Sequence, residues 1–128
     1  MSSSNLCFSG LDTFTQAKFA SGVLDVQVDT GTDSSLFFQR FARQYPNIIE
    51  ASGTPGTKWL GGAGGATEAP ATILPEIAVR LGGLMTTLRP AYVLTKDVES
   101  DGTVGMDILS QAREVLLDFQ AMRLTLSK

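Results

Sequence analysis

The feature that most restricts the fold is a short alternating segment that leads directly into an aspartate. Val23-Leu24-Asp25-Val26-Gln27-Val28 carries apolar side chains at every second position from Leu24 onward, with polar side chains between them. Because successive side chains of a β-strand point to opposite faces, the pattern predicts a half-buried strand. Asp29-Thr30-Gly31 follows at once. The strand therefore delivers an aspartate into a sequence that is typical of a tight turn.

Other segments predict further strands and one short helix. The 13 glycines occur in clusters, which favours a turn-rich architecture over a helical bundle. We expect a short helix over Leu36 to Tyr45, because Phe37, Phe38, Phe41 and Tyr45 form an apolar stripe, and Pro46 discourages its continuation. The predicted strands are Phe14 to Phe19, paired with the first strand through Ala20-Ser21-Gly22; Ile77 to Leu81, closed by Gly82-Gly83; and Leu88 to Lys96, an edge strand with Pro90 near its start.

Two segments leave alternatives open on pattern alone. Ser52 to Pro70 holds six glycines and two prolines around Lys58-Trp59-Leu60, and is either a disordered linker or a mobile hairpin. An apolar Trp-Leu pair is unusual in a linker, which favours the hairpin. Near the end, Ile108 to Met122 fits a helical stripe. Glu114 to Gln120 and Arg123 to Leu126 fit two short strands equally well.

Composition excludes several kinds of chemistry. The chain has no histidine and one cysteine, so Ser-His-Asp catalysis, Cys-His catalysis, His-containing zinc sites and internal disulfides are all impossible. We expect Cys7, between Leu6 and Phe8, to be a small buried apolar group and not a nucleophile. Acid–base work must come from carboxylates, Lys or Tyr. We expect no metal and no cofactor.

Charge and hydropathy limit the partners. The net charge is −3 and the basic residues are scattered, so nucleic acid is not an expected partner. No apolar run approaches the roughly 20 residues that span a bilayer. Met1 to Asn5 does not have the form of a signal peptide. A mature exported domain begins in the same way, so the compartment stays open, with a periplasmic domain of a larger bacterial protein among the options.

Two further motifs do not carry a site. Gly61 to Gly65 resembles a phosphate loop, but no Lys-Ser or Lys-Thr follows, and Thr67 replaces the third glycine of a dinucleotide loop. Asp97 to Gly102 resembles the first half of a calcium loop. Its twelfth position falls on Ile108, which has no carboxylate to close the coordination shell. We expect a solvated turn there.

Several separated pieces together resemble the retropepsin-like aspartic peptidases, including bacterial members. The pieces are Val26-Gln27-Val28-Asp29-Thr30-Gly31-Thr32, like the family's catalytic loop; Gly61 to Gly65, like its glycine-rich flap; Thr103-Val104-Gly105-Met106-Asp107-Ile108-Leu109, similar to its late glycine turn and short helix; and Leu116 to Leu126, like the closing hairpin of bacterial members. The resemblance covers roughly Phe14 to Leu126. It favours strands over a helix at the end of the chain.

The resemblance implies a mainly β, retropepsin-like acid-protease half-barrel with one or two short helices, as a single domain over residues 1–128. It implies an aspartic endopeptidase whose Asp29 pairs with the Asp29 of a second copy, in a homodimer that hydrolyses peptide bonds. Thr30 and Gly31 support the catalytic loop. The implied flap covers about residues 52–68, and its substrate-binding residues are Trp59, Leu60, Gly61, Gly62, Gly64 and Gly65. Asp107 is expected to cap the short helix, not to act as a second catalytic acid.

Two other functions remain open on the sequence. A helical C-terminal half would make the chain a non-enzymatic assembly or interaction protein. The same β fold without activity would be a peptide-binding module.

Overall fold

The computed structural model describes residues 5–9, 12–20, 22–62 and 65–128 and is mainly β, with three short helices. Its elements, in chain order, are β1 Leu6–Ser9, β2 Asp12–Phe19, β3 Gly22–Val28, β4 Leu36–Phe37, α1 Gln39–Gln44, α2 Pro46–Ser52, β5 Thr54–Gly62, β6 Gly65–Leu74, β7 Ile77–Leu81, β8 Leu84–Leu88, β9 Ala91–Leu94, β10 Gly102–Val104, α3 Met106–Leu109, β11 Glu114–Asp118 and β12 Arg123–Ser127.

One curled sheet of ten strands forms most of the half-barrel. Its strand order is β5-β6-β9-β4-β10-β3-β2-β7-β8, and β1 pairs with β2 beside this path. The short strand β10 lies between β3, to which it is parallel, and β4, to which it is antiparallel. β10 therefore joins a segment near residue 103 to two strands from the first third of the chain. The strands β11 and β12 form a separate two-stranded sheet.

The alternating segment of β3 forms the strand that its pattern predicts. Leu24 and Val26 are buried, and Val28 packs partly buried against the same core. The strand pairs antiparallel with β2, from Phe19 opposite Gly22 to Phe14 opposite Gln27. The alternation therefore fixes which face of β3 is buried and delivers Asp29 to the end of the strand.

The main core lies between the curled sheet and α1. Phe41 of α1 is fully buried, and its ring lies 4.9 Å from the ring of Phe37 and 5.5 Å from the ring of Phe19. Tyr45 packs edge-on against Phe19, with 4.9 Å between ring centroids. Burying one such aromatic side chain contributes about 2–3 kcal/mol. The Phe and Tyr spacing that predicted a helix thus anchors α1 to the sheet.

Two boundary predictions were wrong. The segment predicted as a helix from Leu36 begins as β4 and becomes helical only at Gln39. α1 ends at Gln44, before Pro46 as expected, and Pro46 then starts a separate helix, α2. Proline is tolerated in the first helical turn, where its missing N–H has no intrahelical partner. The single strand predicted over Leu88 to Lys96 is divided: β8 ends at Leu88 and β9 begins at Ala91. β9 is not an edge strand, because it lies between β6 and β4.

The two open segments are both β-hairpins. β5 and β6 pair antiparallel from Thr54 opposite Ile73 to Gly62 opposite Gly65, so the linker interpretation was wrong. β11 and β12 pair from Glu114 opposite Ser127 to Asp118 opposite Arg123. The helical interpretation of this end was wrong too, because beyond α3 the apolar residues follow a period of two. This removes the basis of the helical assembly protein.

Candidate active site

Asp29 lies where β3 ends beside β10. Val28 is opposite Val104 in the parallel register, and the backbone N–H of Asp29 donates to the carbonyl of Val104 at 2.9 Å. The hydrogen bond continues the pairing of the two strands by one residue before the chain turns. The position of the Asp29 backbone is therefore set by the sheet and not by the loop alone.

The glycine of the triplet orients the aspartate side chain. The backbone N–H of Gly31 donates to Oδ1 of Asp29 at 2.9 Å. A Cβ atom at Gly31 would lie 3.2 Å from the same oxygen, so a side chain would crowd the carboxylate. Asp29 is half-buried, whereas Thr30 and Gly31 are exposed. The triplet thus presents an oriented carboxylate behind an exposed loop tip.

A buried serine links the Asp29 loop to the segment that follows β10. The hydroxyl of Ser35 donates to Oδ1 of Asp107, and the backbone N–H of Ser35 donates to Oδ2 of the same carboxylate at 2.9 Å. The hydroxyl oxygen in turn accepts the N–H of Gly105 at 2.8 Å. Because donors and acceptors are matched within this buried group, it holds the two segments in one arrangement.

Backbone hydrogen bonds add to this connection. The N–H of Met106 donates to the carbonyl of Thr32 at 2.8 Å, and the N–H of Asp107 donates to the carbonyl of Asp33 at 3.0 Å. A Cβ atom at Gly105 would lie 2.8 Å from the carbonyl oxygen of Thr32. Glycine is therefore required at position 105 by the close approach of two backbone segments, and not by an unusual torsion angle.

The expected helix-capping role of Asp107 was wrong. The N-cap of α3 is Gly105, and no side chain caps that helix. Asp107 stands inside the first turn and uses both carboxylate oxygens on Ser35. Asp107 thus joins two distant segments instead of ending a helix.

The β5–β6 hairpin carries the other predicted site residues. Trp59 is 62% exposed, whereas Leu60 packs against a small apolar cluster made by Phe38, Ala71 and Leu94. Leu36 and Val98 pack against the same cluster. The hairpin thus contributes Leu60 to the same cluster that Leu36 of β4 and Val98 before β10 contact, while its neighbour Trp59 faces solvent.

The glycines near the hairpin turn differ from one another. Gly61 and Gly62 end β5, and Gly65 begins β6 with a φ of +111°. That torsion angle lies in the region that favours glycine. Gly64 and the turn residue beside it lie outside the described residues, as do the side chain of Cys7 and its predicted burial.

A buried carboxylate that the sequence did not reveal lies at the start of β10. Asp101 is 1% exposed, and its Oδ2 accepts the backbone N–H of Asp25 at 2.8 Å. Nε of Arg40 approaches Oδ1 at 3.6 Å, but no hydrogen bond to that oxygen forms within the described part of the chain. Burial raises the pKa of Asp101, which the Asp25 N–H and the Arg40 charge oppose and the Asp25 charge reinforces.

Asp101 also corrects the expectation of a solvated turn over Asp97 to Gly102. Asp97 and Glu99 are exposed, but Ser100 and Asp101 are buried. The one sequence signal near Asp101 is the short segment Gly102-Thr103-Val104 directly after it, which forms β10. The arginine partner is distant in the sequence and no local pattern identifies it.

Two features are absent from the described residues: a cluster of metal ligands and a membrane-spanning helix. Over residues 5–9, 12–20, 22–62 and 65–128, no group of three or more potential ligands is arranged to hold a metal ion. Within the same residues no helix has both the length and the apolar character to cross a bilayer.

The topology and the site together define a class of protein: an acid-protease half-barrel that presents an aspartate from a braced loop. A family model described as aspartyl protease matches residues 15–108. The chain therefore belongs to the aspartyl protease family, and its resemblance to retropepsin-like members is confirmed. No curated protein sequence matches the chain.

Solved structures support the same fold. The retroviral protease-like domain of Ddi1 from Leishmania major is 18% identical, with a TM-score of 0.61 over 98% of this chain and 90% of that chain. A retropepsin-like aspartic protease from Rickettsia conorii is 15% identical, with a TM-score of 0.66 over 89% of this chain and 82% of that chain. At these identities the likeness establishes the retropepsin-like half-barrel and not the activity.

Proposed function

We propose that this chain is an aspartic endopeptidase in which Asp29 activates the water that attacks a peptide bond. The observation that carries the proposal is the fixed carboxylate at the end of β3, with Oδ1 bound by the N–H of Gly31 at 2.9 Å. With no histidine in the chain, carboxylates are the natural acid–base groups. Family membership supports this assignment of Asp29.

One chain supplies half of the machinery in this proposal. Asp29-Thr30-Gly31 occurs once, so the second carboxyl group comes from the Asp29 of another copy, with the cleft on a two-fold axis. Two carboxyl groups a few ångströms apart share one proton, because both cannot be ionised at once. The ionised group takes a proton from water, and the protonated group polarises the scissile carbonyl. Thr30, exposed at the loop tip, is proposed to contact the partner loop.

The β5–β6 hairpin is proposed to act as a flap over the substrate. Trp59 is 62% exposed, and Leu60 joins the apolar cluster that Leu36 and Val98 also contact. A bound peptide would bury Trp59 and exclude water from the reacting bond. Gly61, Gly62, Gly64 and Gly65 are proposed to give the hairpin end its freedom to move.

The decisive variant is Asp29→Asn. It preserves an acceptor for the Gly31 N–H but removes the ionisable carboxyl, and we expect peptide cleavage to fall by about 10³-fold or more. Cleavage of a fluorogenic peptide library measures the loss, and circular dichroism checks the fold. Glu50→Gln, the same chemical change at an exposed site on α2, is the control and should retain activity.

Turnover that survives Asp29→Asn would eliminate the assigned role. Peptide binding by the wild-type protein without any cleavage would favour the inactive peptide-binding module instead. The two outcomes are separated by measuring binding and turnover on the same peptides.

The β11–β12 hairpin is the proposed surface for the second copy. β12 is the only strand paired with β11 among the described residues, so the other edge of β11 is open. The edge of β12 that faces away from β11 is not open in the same way, because the N–H of Leu126 donates to the carbonyl of Gly82 at 2.9 Å. Val115 and Leu116 on β11 are 38% and 53% exposed. Exposed apolar groups beside an open strand edge are typical of an association surface.

Activity should therefore depend on protein concentration. We expect Leu116→Asp to shift the dimer to monomer in analytical ultracentrifugation and to lower specific activity at low concentration. Met85→Asp, the same change at a 54% exposed apolar residue of β8, serves as the control. A monomer with full specific activity at all dilutions would contradict the shared site.

A further inference from the structure

A basic groove lies on the outer side of the half-barrel, apart from the proposed active site. It has a volume of about 270 Å³, and its lining includes Gln16, Lys18, Val23, Arg80 and Arg123. The cations come from three strands: β2, β7 and β12. The whole chain carries a net charge of −3, so this concentration of positive charge runs against the overall composition.

Two of the cations face each other across adjacent strands. Lys18 of β2 is directly opposite Arg80 of β7 in the antiparallel register. Like charges in that relation destabilise a sheet. Nη1 of Arg80 donates to the carbonyl of Gly83 at 3.0 Å, which positions its guanidinium. The exposed ammonium of Lys18 makes no hydrogen bond or ion pair with any part of the chain that the structure describes.

The nearest carboxylate on the same face of β3 is already engaged. Asp25 lies two residues after Val23 on the same face of β3. It is opposite Gln16, whereas Val23 is opposite Lys18, so Asp25 is diagonal to Lys18. Its Oδ2 lies 3.3 Å from Nη2 of Arg40. The Lys18–Arg80 pair is therefore left with a positive charge that an external anion can neutralise.

We propose that this groove binds an acidic segment of a peptide, as a docking site outside the active site. The proposal rests on the proposed peptidase function for its purpose, because a docked segment would recruit a substrate. Guanidinium groups bind carboxylates through paired hydrogen bonds. Lys18 and Arg80 supply the charge of the proposed site, and Val23, 46% exposed, adds an apolar contact beside them. Two cations next to an apolar side chain suit several residues of a peptide better than one small anion.

Binding is measured with the Asp29→Asn protein, so that no ligand is consumed. The probe is a fluorescent peptide with four consecutive glutamates, and fluorescence anisotropy gives its dissociation constant. We expect Lys18→Gln with Arg80→Gln to weaken binding by about tenfold or more, because the charge-assisted hydrogen bonds from both cations to the glutamates are lost. Lys96→Gln, which removes one charge at an exposed loop residue, should change it little, and Lys18→Arg should retain it.

Three results would overturn the proposal. They are unchanged affinity in the double variant, equal affinity for a peptide with glutamines in place of the glutamates, and complete competition by equimolar inorganic phosphate. A thermal unfolding measurement confirms that the double variant is folded. Because anisotropy measures binding and not turnover, failure of this test leaves the assignment of Asp29 untouched. Failure of that assignment shows itself separately, as cleavage of the probe by the Asp29→Asn protein.

Discussion

The Asp29 loop (residues 29–35) and the β5–β6 hairpin are both proposed to contact substrate, yet they are held in opposite ways. The loop is tied to a segment far along the chain: Ser35 and Asp107 are 72 positions apart, and Ser35 and Gly105 are 70 apart. The hairpin is held mainly by pairing between its own two strands, and its β6 strand joins the rest of the sheet only from Ala71 onward.

The difference teaches that a glycine has no single meaning in this chain. At Gly105 a Cβ atom would meet the Thr32 carbonyl oxygen at 2.8 Å, so glycine permits close backbone packing. At Gly61 the described residues, apart from its two chain neighbours, place no atom within 4 Å of the equivalent position, so close packing does not require glycine there. Glycine at position 105 thus permits the close packing that holds the Asp29 loop, whereas glycine at position 61 lies in a hairpin end with few contacts.

The largest expected effect separates these two glycines. Gly105→Ala should lower the free energy of unfolding by about 2–3 kcal/mol, because the methyl group forces the Thr32 and Ser34 backbone away. Gly61→Ala should change it by less than about 0.5 kcal/mol. Urea denaturation of both variants gives the comparison. Equal destabilisation by the two substitutions would remove the distinction between a packed loop and an open hairpin.

A smaller effect is expected at the exposed hairpin tryptophan, and on activity instead of stability. Trp59→Ala should leave the free energy of unfolding almost unchanged, since the side chain is 62% exposed. It should lower kcat/KM by about tenfold, because a contact that a bound peptide would bury is lost. Steady-state kinetics and urea denaturation separate the two quantities. A large loss of stability with unchanged kcat/KM would mean that Trp59 serves the fold and not the substrate.

Sequence patterns predicted the β3 strand and the Asp29 turn and favoured the β5–β6 hairpin, because each depends on local alternation, glycine position or composition. Pattern alone left the β11–β12 segment undecided, and only the family resemblance favoured a hairpin there. They did not predict the brace between Ser35 and Asp107, since its partners are remote in sequence and each has an ordinary local explanation. The Asp107 carboxylate looked like a helix cap for that reason. The register of β10 between β3 and β4 is likewise a tertiary property, because three residues carry too little periodicity to select their neighbours.

The smallest expected effect tests whether the buried carboxylate of Asp101, beside β10, lowers the free energy of unfolding when it ionises. Burial raises the pKa of Asp101 above its ordinary value of 3.8. The folded state then binds more protons than the unfolded state as pH rises above that value, so the free energy of unfolding falls through this interval. Asp101→Asn cannot ionise and should lack this decline.

The measurement is urea denaturation from acidic to neutral pH, taken as the difference between the wild type and the variant. The difference isolates Asp101 from the other carboxylates that titrate in the same interval. Asp97→Asn, at an exposed aspartate paired with Arg43, should keep the slope of the wild type. Should Asp101→Asn show the wild-type slope too, Arg40 would be neutralising the buried carboxylate fully. The region around β10 and the Asp29 loop would then differ from the β5–β6 hairpin in packing and not in buried charge.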